Sequence, residues 1–258
     1  MVGRIQNPKN PLFFSPLPRG RCHAVTVGVL FVFVAFNFLL CASSALAQTI
    51  WSGPSSRRVV ALTFDDGPNY EGSTELLDIL NKYGVKATFF VIGDEVEKNP
   101  DVVLRMADSG YEVGNHTYYH TRLNGVSAAA LENGIKKTNV LIESITGEKP
   151  RCFRPPGGSI LPSVAGDLER MGMTVVCWTI NAEDYTELNE NFEIEENYQK
   201  IASELSYKVL KEAKPGAIVL LHNGSKQTLM ALPTIIEGLR KQGYGFVTVS
   251  ELIAKGDY

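Results

Sequence analysis

Three of the four histidines in this 258-residue chain lie at or a few residues past the ends of short strand-like runs, and the residues around them are the ones able to do chemistry. His116 and His120, separated by Thr117-Tyr118-Tyr119, are close enough to bind one ion. A carboxylate from a neighbouring element would complete a two-histidine, one-carboxylate set with positions left open for water, the design of a catalytic rather than a structural metal site. A histidine pair alone is more commonly a core or surface feature. Asp65-Asp66, at the end of another apolar run, turns that balance. Adjacent residues on an extended backbone point to opposite sides, so the two aspartates are expected to divide the work, one on the metal and one facing a water. Asp-Asp-Gly-Pro is also a turn composition, and the two readings are compatible.

Arg154 stands in Phe153-Arg154-Pro155-Pro156-Gly157-Gly158, and a guanidinium beside an aspartate favours the ionised carboxylate that a base requires. His222 ends the run 218–221, and a carboxylate such as Asp184 would favour its imidazolium form, suited to protonating a leaving nitrogen. A lone histidine after a strand is more often structural, and its company argues for the acid.

Strand-like and helix-like segments alternate from Arg58 onward and must position these groups. Strands are expected over 59–64, 87–92, 111–114, 151–153, 174–180, 217–221 and 245–249. Helices are expected over 73–83, from Asn99-Pro100 to Gly110, over 127–145, in a short piece ending at Met171, within 194–213, and over 228–242. The acidic stretch 183–197 reads as a loop. Seven strand-helix units call for an α/β fold with a parallel sheet and outer helices; a closed barrel is the first choice and an open doubly wound sheet the alternative. Both place ligand sites at the carboxyl ends of strands, where Asp65, Asp66, His116, Arg154 and His222 fall.

The composition is ordinary for one globular domain, 44% hydrophobic and 21% charged. Residues 1–47 differ: Arg4, Lys9, Arg19 and Arg21 precede an apolar run over 24–40 and then Ala45-Leu46-Ala47, the layout of a signal peptide cleaved after Ala47. An uncleaved N-terminal anchor is the alternative, and either sends the remainder out of the cytoplasm. Cys41 lacks the small preceding residue that lipid attachment wants. Removing those four positive charges takes the formal charge from −3 to −7, which argues against nucleic acid as a partner. Cys152 and Cys177 are expected either to pair or to remain two buried thiols.

Taken together, these segments resemble the polysaccharide deacetylases with a NodB homology domain, carbohydrate esterase family four, from about Val59 to Ile253. Thr63-Phe64-Asp65-Asp66-Gly67-Pro68 is similar to the family's first motif, which implies Asp65 as base and Asp66 as metal ligand. His116-Thr117-Tyr118-Tyr119-His120 resembles its metal-binding pair. Arg154-Pro155-Pro156 resembles the motif whose arginine holds the base. Asp184-Tyr185 resembles the motif whose aspartate tunes the catalytic histidine, and Leu220-Leu221-His222 the one with leucine at the acetyl pocket and histidine as acid.

The resemblance implies a distorted (β/α) barrel of about seven parallel strands, preceded by a linker over 48–57 and occupying 58–258. It implies a divalent cation, Zn first with Co, Mn or Ni as alternatives, and a glycan partner touched by Pro156, Gly157, Tyr185 and Leu220. The activity implied is removal of N-acetyl groups from a peptidoglycan- or chitin-like polysaccharide. Two departures bear on the groove: Gly157 replaces an aromatic residue, keeping the backbone N–H but losing a wall, and Asn181 and Tyr185 stand where aspartate and tryptophan are usual. No protein partner is implied, and a membrane only if the N-terminal segment stays uncleaved. An O-acetyl esterase on xylan-like chains, a small-molecule amidase and a silent glycan-binding protein of the same fold are the rival readings. A non-haem iron oxygenase shares the two-histidine, one-carboxylate set but has no use for the Asp65–Arg154 and His222–Asp184 pairs.

Overall fold

The computed structural model describes residues 49–122, 126–159, 162–185 and 195–254; the N-terminal segment 1–47 and residues 186–194 of the acidic stretch lie outside them. Among the described residues, no helix is long and apolar enough to cross a membrane.

In chain order the strands are β1 (Thr49–Ile50), β2 (Val59–Gly67), β3 (Ala87–Val91), β4 (Glu112–Asn115), β5 (Cys152–Phe153), β6 (Thr174–Val176), β7 (Ile180–Asn181), β8 (Ile218–His222) and β9 (Gly245–Phe246). The α-helices are α1 (Tyr70–Tyr83), α2 (Gly93–Lys98), α3 (Pro100–Asp108), α4 (Ala128–Thr146), α5 (Pro162–Arg170), α6 (Glu195–Glu212), α7 (Lys226–Lys241) and α8 (Val249–Ile253). Every strand pairing is parallel, in the order β1-β6-β5-β4-β3-β2-β8-β7, with β9 also on β2.

The expected strand over 174–180 is divided. Its first part pairs with β1 and β5; after Cys177-Trp178-Thr179 its second part pairs with β8. One covalent run thus joins the two flanks of the sheet, which curls into the distorted barrel expected rather than an open sheet. The stretch read as a linker over 48–57 contributes β1.

Alternation along the strands separates two cores. Val60, Leu62 and Phe64 of β2 and Val219 and Leu221 of β8 face outward against Leu76, Leu77 and Leu80 of α1 and Leu232, Ile235 and Ile236 of α7. Ala61 and Ile218 face inward with Phe90, Cys152 and Val176, and Val249 and Leu252 of α8 complete this inner cluster. That helix corrects the strand expected over 245–249, which ends at Phe246. Thr248 accepts from the Glu251 backbone N–H while Glu251 accepts from the Thr248 N–H, a capping box that outweighs the β-branched composition.

Helix ends follow local chemistry. Asn69 caps α1 by accepting from the N–H groups of Gly72 and Ser73, and Gly84 ends it in the left-handed region at φ 58°. Cys152 and Cys177 remain two buried free thiols. Each thiol has its own neighbour: Cys152 Sγ lies 3.3 Å from Glu112 Oε1 and Cys177 Sγ 3.7 Å from the Gly158 carbonyl.

Candidate active site

The register of β2 and β8 sets the centre of the site. Thr63 lies opposite Leu220 and Asp65 opposite His222, so both pairs share the inward face of adjacent strands. Asn115, last in β4, lies opposite Val91 on one side and Phe153 on the other, which places His116 and Arg154 one residue beyond the strand tips.

Arg154 is fully buried and folds back over the inner core, its guanidinium 4.1 Å above the Phe90 ring. There it donates to Asp65 Oδ1 at 2.7 Å, Thr63 Oγ1 at 2.8 Å, and the carbonyls of Val176 and Cys177. A fixed positive charge thus lies beside a carboxyl group that is only 4% exposed.

Asp66 departs from the strand direction. Its φ is 69°, unusual for a residue with a side chain, and the β2–β3 register shifts between Asp65 and Gly67. This bulge turns Asp66 Oδ1 to 3.4 Å from His116 Nε2 and 3.2 Å from His120 Nε2. Thr117 and His120 also have positive φ, at 70° and 53°, which folds the loop so that both imidazoles meet the carboxylate. Asn115 holds this loop by accepting from the Thr117 N–H while donating to the Ile135 carbonyl and Asn139 Oδ1 of α4.

These three residues fit a divalent cation. Ligand atoms about 2.0–2.1 Å from a tetrahedral ion are about 3.3 Å apart, close to the two separations seen. His116 Nδ1 lies 2.7 Å from the Arg154 carbonyl, which can only accept, so Nδ1 carries the proton and Nε2 presents its lone pair. Asp66 Oδ1 is buried without a hydrogen-bond partner. Burial pushes the Asp66 carboxyl up, but the neighbouring imidazoles of His116, His120 and His222 outweigh it and hold the group below its usual range. Burial pushes His120 down, toward its neutral form. An ionised carboxylate and neutral imidazoles are the ligand forms.

Opposite this cluster, His222 Nδ1 is 2.6 Å from Asp184 Oδ1, leaving Nε2 toward the site, 3.9 Å from Asp66 Oδ2. Asp184 is fully buried and is held through Oδ2 by the His222 N–H and by Thr228 Oγ1 of α7, while Gln227 Nε2 donates to its carbonyl. Burial lowers the His222 pKa, but the Asp184 hydrogen bond and the Asp184, Asp65 and Asp66 charges more than reverse this, so it is raised. Asp65 and Arg154, Asp66 and the histidine pair, and His222 and Asp184 are therefore brought together as the sequence led one to expect.

The groove residues lie around them. Leu220 is buried two residues before His222 on the same strand face. Tyr185 is 59% exposed, its ring centroid 5.2 Å from that of His222 in an edge-on arrangement. Pro156 is buried at the start of a 3₁₀ turn in which Gly157 has φ 73°. A Cβ on Gly158 would meet Trp178 at 2.8 Å, so an aromatic ring borders the turn despite the glycine at 157. Sequence reasoning placed Asn115 at a strand end beside His116 and Thr63 in the Asp65-Asp66 motif without giving either a role, and it missed Gln227 and Thr228, at which only their closeness to His222 hinted.

Residues 52–176 match the family model for polysaccharide deacetylase. A peptidoglycan-N-acetylglucosamine deacetylase of Bacillus cereus is 39% identical over 206 residues, covering 79% of this chain and 92% of that protein. The crystal structure of the Bc1960 peptidoglycan N-acetylglucosamine deacetylase superposes with a TM-score of 0.72 at 32% identity, over 80% of this chain and 92% of that one. BA3943 of Bacillus anthracis, a CE4 family pseudoenzyme, gives the same TM-score at 32% identity, over 81% of this chain and 70% of that one.

Proposed function

We propose, for a chain that belongs to the polysaccharide deacetylase family and is a hydrolase acting on amide bonds, that its substrate is the N-acetyl group of an amino sugar in an extracellular polysaccharide, peptidoglycan first. The observation that carries this reading is the placement of an arginine-held carboxylate and an aspartate-held imidazole on either side of the Asp66, His116 and His120 cluster. A complete set of base, acid and ligand residues favours turnover over silent glycan binding.

Asp66, His116 and His120 would hold a divalent cation, Zn first with Co, Mn or Ni as alternatives, and the bound ion would supply Lewis acidity for the acetamide carbonyl. Asp65, held by Arg154, takes a proton from the attacking water, whose oxygen bonds to the carbonyl carbon. A backbone N–H near Gly157 supports the developing oxyanion. His222 Nε2 then donates its proton to the nitrogen as the C–N bond breaks, giving acetate and a free amino sugar. Tyr185, Pro156 and Leu220 border the space for the sugar and its acetyl methyl. The charged and apolar layout of residues 1–47 supports action outside the cytoplasm, by a cleaved leader or an anchored form.

Mass spectrometry of peptidoglycan fragments, chitooligosaccharides and acetylated xylan after incubation with the protein tests the substrate. Loss of acetyl units from peptidoglycan amino sugars is expected; release from xylan alone would replace the reading with an O-acetyl esterase. Removing the cation with a chelator is expected to abolish release and lower Tm, both restored by adding Zn. At a cation concentration a hundredfold above Kd, binding contributes about 2.7 kcal/mol, several degrees for a domain of this size. No bound metal under any condition would undo the proposal.

A further inference from the structure

Asn223, directly after His222, is only 7% exposed and lies between the two loops that carry the site. Its N–H donates to the Asp65 carbonyl at 2.8 Å, and its carbonyl accepts from Asn69 Nδ2 at 3.2 Å. Its side-chain Oδ1 accepts from Ser73 Oγ at 3.1 Å, and Ser73 Oγ in turn accepts from the Asn69 N–H. Nδ2 has no hydrogen-bond partner and is buried. It occupies the position where a side chain at residue 67 would begin: a Cβ on Gly67 would come 1.7 Å from it. One step farther out the loops touch backbone to backbone, since a Cβ on Gly72 would meet Gly224 Cα at 2.6 Å and one on Gly224 would meet Gly72 Cα at 2.7 Å.

The loop pressed by Asn223 contains the bulge that gives Asp66 its left-handed backbone and separates its carboxylate from that of Asp65. We propose that Asn223 is a positioning residue: its amide, seated over Gly67, holds the loop carrying Asp65 and Asp66 against the loop carrying His222 and so sets the geometry of the cation ligand Asp66 relative to the acid. A buried amide with an unpaired donor costs stability, and its retention here is accounted for by this packing role. The inference rests on the reading of Asp66 as a ligand and His222 as the acid.

The test compares Asn223→Ala, Asn223→Ser, Gly67→Ala and the double variant Gly67→Ala/Asn223→Ala. Co(II) affinity and its visible absorption spectrum, kcat and KM, and Tm are measured on each. Partners behind metal ligands typically change affinity by about 10- to 100-fold, so Asn223→Ala is expected to weaken Co(II) binding within that range, alter the spectrum and lower kcat with little change in KM. Asn223→Ser is expected to follow the same direction. Gly67→Ala is expected to be worse, and the double variant to recover part of its loss, because the added methyl enters the space the amide vacates. Unchanged Co(II) binding and kcat in folded Asn223→Ala or Asn223→Ser would overturn the inference, as would losses that simply multiply in the double variant. Co(II) binding is read without substrate, so a wild-type protein that releases no acetate from any glycan counts against the proposed function alone.

Discussion

Asp65→Asn is expected to lower acetate release by on the order of 100- to 10,000-fold while the cation remains bound, because asparagine cannot accept the proton from water. The ligands Asp66, His116 and His120 are untouched by the change, and metal analysis of the variant checks that they stay loaded. The comparison with Asp65→Ala separates chemistry from folding. Arg154 is fully buried and its other acceptors, Thr63 Oγ1 and the carbonyls of Val176 and Cys177, are all neutral. Both variants leave the guanidinium without its counter-charge; asparagine keeps an oxygen in place for the 2.7 Å hydrogen bond from Arg154, whereas alanine also leaves a gap there. Breaking a buried pair by removing one partner costs about 3–5 kcal/mol. Both variants are therefore expected to lose turnover to a similar degree and to unfold below the wild type, Asp65→Ala the lower of the two because it also lacks the hydrogen bond from Arg154. An undiminished rate in the asparagine variant would refute the role of Asp65 as base.

The strands were legible because both faces of a parallel barrel are covered, so each reads as an apolar β-branched run that stops where its loop begins. That same stop marked Asp65, His116, Arg154 and His222 as site candidates before any geometry was known. The direction of each side chain was not legible. It depends on the bulge at Asp66 and on left-handed backbone at Thr117 and His120, which a non-glycine residue adopts only when its surroundings require it. The missed elements were short. Helix α2, Gly93–Lys98, has too few turns to show a period and begins after Ile92, which offers no capping side chain. Strand β1 is two residues held by β6. The Val247-Thr248-Val249 composition suggested extension, although Thr248 and Glu251 carried a capping-box signal for the helix that forms. Residues such as Gln227, Thr228 and Asn223 escaped notice because their work is done across elements distant in sequence.

His222→Ala is expected to match Asp65→Asn in severity, since no other imidazole among the described residues faces the leaving nitrogen from that side, and the pH profile of Asp184→Asn tests why. The His222 pKa is raised because the Asp184 hydrogen bond, with help from the Asp184, Asp65 and Asp66 charges, overcomes burial. An acid must carry its proton, so activity is expected to fall as pH rises through this raised value. Asparagine at 184 keeps an oxygen for the Nδ1 proton and a similar shape but removes the negative charge. The alkaline fall of kcat/KM should then begin at lower pH, while at the most acid pH the protein tolerates the variant should come closest to wild type. The same shift has a consequence for folding. A raised folded-state pKa contributes stability that is fully present below the ordinary imidazole value of about 6.5 and is lost as pH rises through the folded value. Thermal unfolding of Asp184→Asn should accordingly show its largest deficit on the acid side and a smaller one above the His222 pKa. A deficit independent of pH, with an unmoved activity profile, would mean that Asp184 only supports the backbone N–H of His222 and the Thr228 hydroxyl, and that the imidazole gains its proton affinity elsewhere.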